Sequence, residues 1–299
     1  MVKGFLISGI YLPYYAIAFR CCGCLTGISR LICTEVIDMT HQRPANGFTG
    51  CVKLLLAAAI ASQASCGSSS NGDKFPLPAG LDKDAPYIIS ITGADLSTII
   101  DNTYFPAPVA ATWVYEVTTD EGTEHIDVIV LDPADPKGTK VVMGANARVI
   151  QDTVRLNGVV IEDTWDWYGQ DADGNVWYIG EDTAEFENGV FVCNCGAWEW
   201  GVDGALPGYL MLADPQVGDA YRQEYYESEA EDVAEVVALN VAVTVAAGVF
   251  TGCVKTREVS VIDRSYEEFK YYCPGIGVVL EEADDERLEL ISYTGLTPL

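Results

Sequence analysis

Residues 163–183 read DTWDWYGQDADGNVWYIGEDT, with three of the chain's six tryptophans, two tyrosines and six acids. Asp171-Ala172-Asp173-Gly174 is a turn signal between two aromatic runs. Asp at the first turn position accepts a backbone hydrogen bond, and Gly at the last takes positive φ without a Cβ clash. A type I turn closed by a Gly bulge makes a three-residue hairpin loop. Asp171 then faces Asn175, and Trp167 faces Ile179. Side chains alternate along a strand, so one face carries Trp165, Trp167, Trp177 and Ile179. The other carries Asp166, Tyr168, Gln170, Val176 and Tyr178. A two-residue Asp-Gly turn would shift the register by one and exchange the faces on one strand. The bulged form is preferred because Asp171 suits the first turn position. The tryptophan face has two readings. It is core, since each aromatic buries roughly 150–250 Å², or it walls a ligand cleft, which is mostly apolar with a few polar groups.

Working outward, the pattern is strand after strand. Thr112–Thr118, His125–Leu131, Lys140–Met143, Ala147–Leu156 and Val159–Tyr168 precede the hairpin, the last two split by an Asn157-Gly158 turn. Phe186–Val192 and Ala197–Trp200 follow it, with a second Asn-Gly turn at Asn188-Gly189. Val202–Val217, rich in Gly and Pro, reads as a long irregular loop. Tyr221–Tyr226, Ala234–Leu239, Val241–Val245, Val249–Glu258, Tyr266–Tyr272, Val278–Glu282 and Arg287–Tyr293 complete the series. Short strands at this spacing argue an all-β domain. The expectation is an antiparallel meander curled into an open, partial barrel. It has one short helix at most, placed at Ala94–Ile100.

The N-terminal third reads differently. Residues 1–38 contain a 15-residue uncharged run, Phe5–Phe19, and four crowded cysteines, Cys21, Cys22, Cys24 and Cys33. The run is shorter than the ~20 residues of a spanning helix, and 1–38 is expected to be an upstream, non-native extension. Residues 39–66 read as a secretory signal: a weakly basic lead, the apolar run Leu54–Ala61, then Gln63-Ala64-Ser65-Cys66. The pattern resembles a bacterial lipoprotein signal, with Cys66 as the lipidated residue. Gln63 stands where Leu is usual, so cleavage by the ordinary signal peptidase is the alternative. Residues 67–94 read as a linker and 95–299 as a single β domain. The expected location is extracytoplasmic, anchored to the outer membrane or else periplasmic or secreted.

Of 44 acids only Glu35 and Asp38 precede Cys66, leaving 42 after it against 12 Lys and Arg. That field repels nucleic acid and anionic membrane surfaces. No nucleic-acid partner and no cofactor is expected. Asp171, Asp173, Asn175 and Asp182 have the look of a calcium loop. The EF-hand pattern wants Gly sixth and Glu twelfth, where Val176 and Asp182 stand, so no metal is assigned. His125 is the only histidine after the signal, and no GxSxG, HExxH or phosphate-binding glycine loop is present. Cys193, Cys195, Cys253 and Cys273 lie in the exported part, where oxidation is the rule. Cys253 and Cys273 each sit ten residues from Asp263. A hairpin loop centred there sets them opposite, as a cross-strand disulfide. Cys193-x-Cys195 suits a soft metal, a free thiol pair or a link elsewhere.

Several phrases resemble, as a group, an uncharacterised family of secreted bacterial β proteins. They are Tyr104-Phe105-Pro106 with Trp113-Val114-Tyr115, Asp166-Trp167-Tyr168 to Tyr178, Trp198-Glu199 with Gly201–Ala205, and Tyr221–Tyr226. Tyr271-Tyr272-Cys273-Pro274-Gly275-Ile276-Gly277-Val278-Val279 is similar to the closing hairpin of TapB-like and LolA-like open-barrel carriers. The chain departs at Ala110-Ala111, where Gly is usual, and at Cys273, where Ala is usual. The resemblance implies a partial barrel around an apolar cleft and assigns no catalytic residue.

Three functions remain. The first is a tethered binding protein holding an apolar or glycan ligand against Trp165, Trp167, Trp177, Trp198, Tyr168 and Tyr178. The second is a polysaccharide hydrolase or lyase using acids such as Asp166, Glu181 and Glu199. The third is a structural surface protein.

Overall fold

The computed structural model describes residues 74–299 apart from Asp285. The upstream extension, the signal and Cys66 lie outside the described residues. Among these residues sixteen strands form one sheet, and every pairing in it is antiparallel. They are β1 (Thr112–Thr119), β2 (Gly122–Val130), β3 (Lys140–Val142), β4 (Ala145–Leu156), β5 (Val159–Gln170), β6 (Val176–Glu187), β7 (Val190–Cys193) and β8 (Trp198–Glu199). Next come β9 (Leu206–Met211), β10 (Ala220–Arg222), β11 (Glu224–Tyr225), β12 (Asp232–Val245), β13 (Gly248–Ser260), β14 (Glu268–Cys273), β15 (Gly277–Ala283) and β16 (Glu286–Thr294).

The sheet order is β10-β12-β13-β14-β15-β16-β1-β2-β4-β5-β6-β9-β11. Its two ends meet in one short stretch of chain. Ala220–Arg222 pairs with β12, the Gln223 N–H donates to the Asp232 carbonyl at 2.8 Å, and Glu224-Tyr225 pairs with β9. The sheet is therefore a barrel closed except at one seam, where a single segment changes partner.

Local chemistry sets most of these elements. The Asn157-Gly158 and Asn188-Gly189 turns both take positive φ at both positions, the geometry that matches strand twist. The Asp171 turn closes as the sequence implies: Asp171 N–H donates to Asn175 O and Gly174 N–H to Asp171 O. Ala234–Leu239 and Val241–Val245 are not two strands but one, β12, whose register shifts three times between Val236 and Val243. The helix expected at Ala94–Ile100 does not form. A single 3-10 turn spans Gly93–Asp95, held by Asp95 accepting from the Thr92 N–H and hydroxyl. Ser97 then bridges to Gln170.

The stretch Val202–Val217 is not irregular, since β9 lies within it. Its Gly208 sits where β9 meets the chain crossing the seam. A Cβ there would collide with the backbone of Arg222 and Gln223. Residues 74–94 run along the outside of the barrel. Lys74 and Phe75 donate to Arg264 O, and the Tyr87 hydroxyl donates to Pro207 O beside the seam.

One buried side chain fastens the approach to β1 onto the central hairpin. Asn102 Nδ2 donates to Gly174 O and Leu212 O, while its Oδ1 accepts from the Tyr104 and Phe105 N–H groups. Phe105 is thereby set against Tyr168, with ring centres 5.3 Å apart.

Gly208→Ala is expected to destabilise by roughly 1–3 kcal/mol, the cost of forcing extra volume into a close contact. Urea unfolding measures it.

Candidate functional site

The central hairpin divides its side chains between two environments. Near the tip the register is Tyr168 with Tyr178, Gly169 with Trp177 and Gln170 with Val176. Beyond it the register shifts at Ile179, so Trp167 faces Gly180 rather than Ile179, and Asp166 faces Glu181. The bulge puts Glu181 and Thr183 on the same face as Asp166 and Thr164. That face points into the barrel.

The other face points outward, and it is covered. Lys137 lies over Trp165 with Nζ 3.1 Å from the ring centre, and Lys140 lies over Trp167 at 4.0 Å. Trp177 packs on Tyr209, with centres 4.0 Å apart, and its N–H donates to Asp171. Glu199 also lies on this side, ion-paired to Lys140 at 2.7 Å. Trp165, Trp167 and Trp177 therefore do not share a wall with Trp198. Trp198 pairs with Glu181 across β6 and β8, and lies on the inward face. Its ring meets Tyr178 edge-on at 5.2 Å, and Tyr178 stacks on Tyr168 at 5.1 Å. Trp198, Tyr178 and Tyr168 form the buried aromatic cluster of the interior.

Around that cluster the interior is acidic. Glu124, Asp152, Glu162, Asp166, Glu181, Glu224, Asp232, Glu258, Glu268 and Glu281 are all buried. The buried base among them is Lys270, which pairs with Glu258 at 3.1 Å and Glu268 at 3.0 Å. Hydroxyls supply further support: Tyr178 to Asp166 at 2.9 Å, Thr183 to Glu181 at 3.0 Å and Thr256 to Glu258 at 2.7 Å. Asp152 Oδ1, both oxygens of Glu281 and the Tyr168 hydroxyl are buried without a hydrogen-bond partner.

Burial disfavours a charged carboxylate, and it dominates here. It pushes Asp166 up to about 8, aided by Glu162 and opposed by the Tyr178 hydrogen bond. Burial likewise holds Asp152, Glu224, Asp232 and Glu281 well above the carboxylate range. At Glu224 the repulsion of Asp232 and Glu181 adds to it, and the Trp198 N–H opposes it. For Lys270, burial works against the charge, but Glu258, Glu268 and Glu281 outweigh it and raise the pKa. The interior is thus a proton-holding set around one ammonium. Among the described residues no three of these inward acids bring their oxygens close enough together to hold a metal ion.

The Asp171 loop is structural. Oδ1 of Asp171 accepts from the Asp173 and Asn175 N–H groups, and Oδ2 accepts from Asn175 Nδ2 and Trp177 Nε1. His125 lies on the outer surface beside Glu116 and Asp127. Cys253 and Cys273 are joined by a buried disulfide that continues the β13–β14 register, and Cys193 is joined to Cys195.

Sequence reasoning missed Asp152, Glu224, Lys270 and Glu281. For three of them the alternation carries a signal. Asp152 falls in the inward phase between Ile150 and Val154, Lys270 between Glu268 and Tyr272, and Glu281 between Val279 and Ala283. A charge in the buried phase of a strand marks an interior polar site.

No family model and no curated protein matches the chain. Among solved structures, a "putative lipoprotein" from Parabacteroides distasonis aligns over 64% of this chain and 99% of its own, at 11% identity and a TM-score of 0.37. At that score the likeness carries no argument. The resemblance to TapB-like and LolA-like carriers rests on the residues alone.

Asp166 gives a pH test with a defined sign. Its folded pKa is about 8, against about 3.9 unfolded, so folding takes up a proton between these values. Its contribution to stability is full below the unfolded value and is lost as pH rises through about 8. Asp166→Asn keeps an acceptor for Tyr178 and removes the titration. Melting curves between these pH limits are expected to flatten in the variant, which becomes the more stable protein at the alkaline end.

Proposed function

We propose that this chain is an exported, membrane-tethered binding protein whose barrel interior takes a hydroxyl-rich, sugar-like ligand. The observation that carries it is the set of inward polar atoms without partners, Asp152 Oδ1, Glu281 and the Tyr168 hydroxyl, beside the aromatic cluster. Sugar hydroxyls both donate to and accept from carboxyl groups, and sugar C–H faces stack on rings. An apolar ligand would leave the buried oxygens uncompensated, at a cost of roughly 1–3 kcal/mol each, so the apolar half of the expectation is set aside.

Access fits the seam. The crossing segment is held by three residue pairs to β12 and two to β9, and short ladders open locally first. Gln223 and Glu224 belong to it, and Trp198 stands against Glu224.

Export and tethering are supported by the signal pattern ending at Cys66 and by two disulfides in the folded part, which suit an oxidising compartment. The acidic field supports the absence of a nucleic-acid partner.

Tryptophan fluorescence and thermal shift against a panel of oligosaccharides test the reading. A responding glycan is expected to lose at least about tenfold in affinity, on the order of 1.4 kcal/mol, in Trp198→Ala. Trp165→Ala, on the outer face, should bind as the native chain does. Silence across the panel, together with no retained molecule by native mass spectrometry of membrane-purified protein, would sink the proposal.

A hydrolase is the second reading, favoured by one observation. Asp166 and Glu181 stand directly opposite each other, and Asp166 keeps its proton to about 8, as a general acid does. Release of reducing ends that disappears in Asp166→Asn and Glu181→Gln would favour it over simple binding.

A further inference from the structure

The hairpin of β6 and β7 carries a cluster that the barrel interior does not use. The Asn188-Gly189 turn sets Glu185 directly opposite Cys193. The Cys193 Sγ lies 3.6 Å from Glu185 Oε2, and Cys195 follows two residues on. Both sulfurs and a Glu185 carboxylate oxygen fall within 4.8 Å of one another. Cys195 and Asn194 are exposed, and Cys193 and Glu185 are half-buried. The other disulfide, Cys253–Cys273, is wholly buried. Exposed disulfides are the ones that thiols reach and reduce.

We propose that reduction of the Cys193–Cys195 disulfide turns this hairpin into a site for one thiophilic divalent ion, of which zinc is the type. Cys193 Sγ, Cys195 Sγ and the Glu185 carboxylate are its three protein ligands. Two thiolates and a carboxylate suit a tetrahedral ion of borderline softness. The exposed side of the cluster leaves the fourth position to water. The reductant is a dithiol. One of its thiolates bonds to Cys195 Sγ, the Cys193–Cys195 bond breaks, and the departing Cys193 thiolate takes a proton. The second thiol then expels the Cys195 thiolate, which is protonated in turn, and the reductant leaves as a disulfide. Two electrons have passed to the protein. The ion displaces both thiol protons on binding.

Cobalt(II) is the probe, because thiolate ligation gives it a charge-transfer band. The full chain is treated with dithiothreitol, freed of it without air, and titrated beside the untreated chain. Six further cysteines precede residue 67, so the readout is the difference between the native chain and Cys193→Ser/Cys195→Ser. The reduced native chain is expected to bind one more equivalent than the reduced double variant, and to lose that equivalent on reoxidation. Glu185→Gln, which keeps both sulfurs, is expected to weaken the site by about tenfold or more. It also serves if the double variant fails to fold. Equal stoichiometry in native and double-variant chains, or undiminished affinity in Glu185→Gln, overturns the proposal.

Discussion

One ammonium, Lys270 Nζ, stands fully buried among ten inward acids, and the interior is arranged around that imbalance. An unpaired carboxylate in a protein interior costs several kcal/mol, so it is matched, hydrogen-bonded or protonated. Here all three devices appear. Glu258 and Glu268 are matched by Lys270. Asp166 and Glu181 accept from hydroxyls. At Asp152, Glu224, Asp232 and Glu281 burial favours the protonated form. Trp113 and Tyr115 each reach across to donate to a carbonyl of the 276–278 segment.

The placement of charge is inside-out. Lys137, Lys140 and Lys255 lie on the outer face, each over an aromatic ring. Their stems cover apolar surface while the charged ends reach water. This is why a face carrying three tryptophans is not a cleft: its rings are already occupied by cations from the 137–140 loop and by Tyr209. The aromatics that share the inward face with the acids are Trp198, Tyr178 and Tyr168, all buried.

Turn chemistry and alternation made the meander legible. The Asp171 loop and both Asn-Gly turns stand where their residues require, and the division of the hairpin's faces follows from them. What alternation could not reveal is the bulge at Ile179. It shifts β6 by one residue and so decides that Glu181, not Asp182, joins Asp166 inside. A bulge is a choice between two packings of the same alternating sequence, and nothing local to Tyr178-Ile179-Gly180 announces it. Strand β9 was hidden for the opposite reason. Pro207 and Gly208 both argue against a strand interior, yet here the glycine makes room for the chain crossing the seam.

The seam joins these two themes. Gln223 is tied into β12 by its backbone and into the acid network by its side chain, which donates to Glu258 at 3.1 Å. On either side of it stand Asp232 and Glu224, and the charge of Asp232 adds to the burial that raises the Glu224 pKa. Ionisation of both would set two like charges beside the short ladders that hold this segment. The residues that make the interior polar therefore also flank its one gap, so that satisfying the buried acids and closing the seam fall to the same short segment of chain.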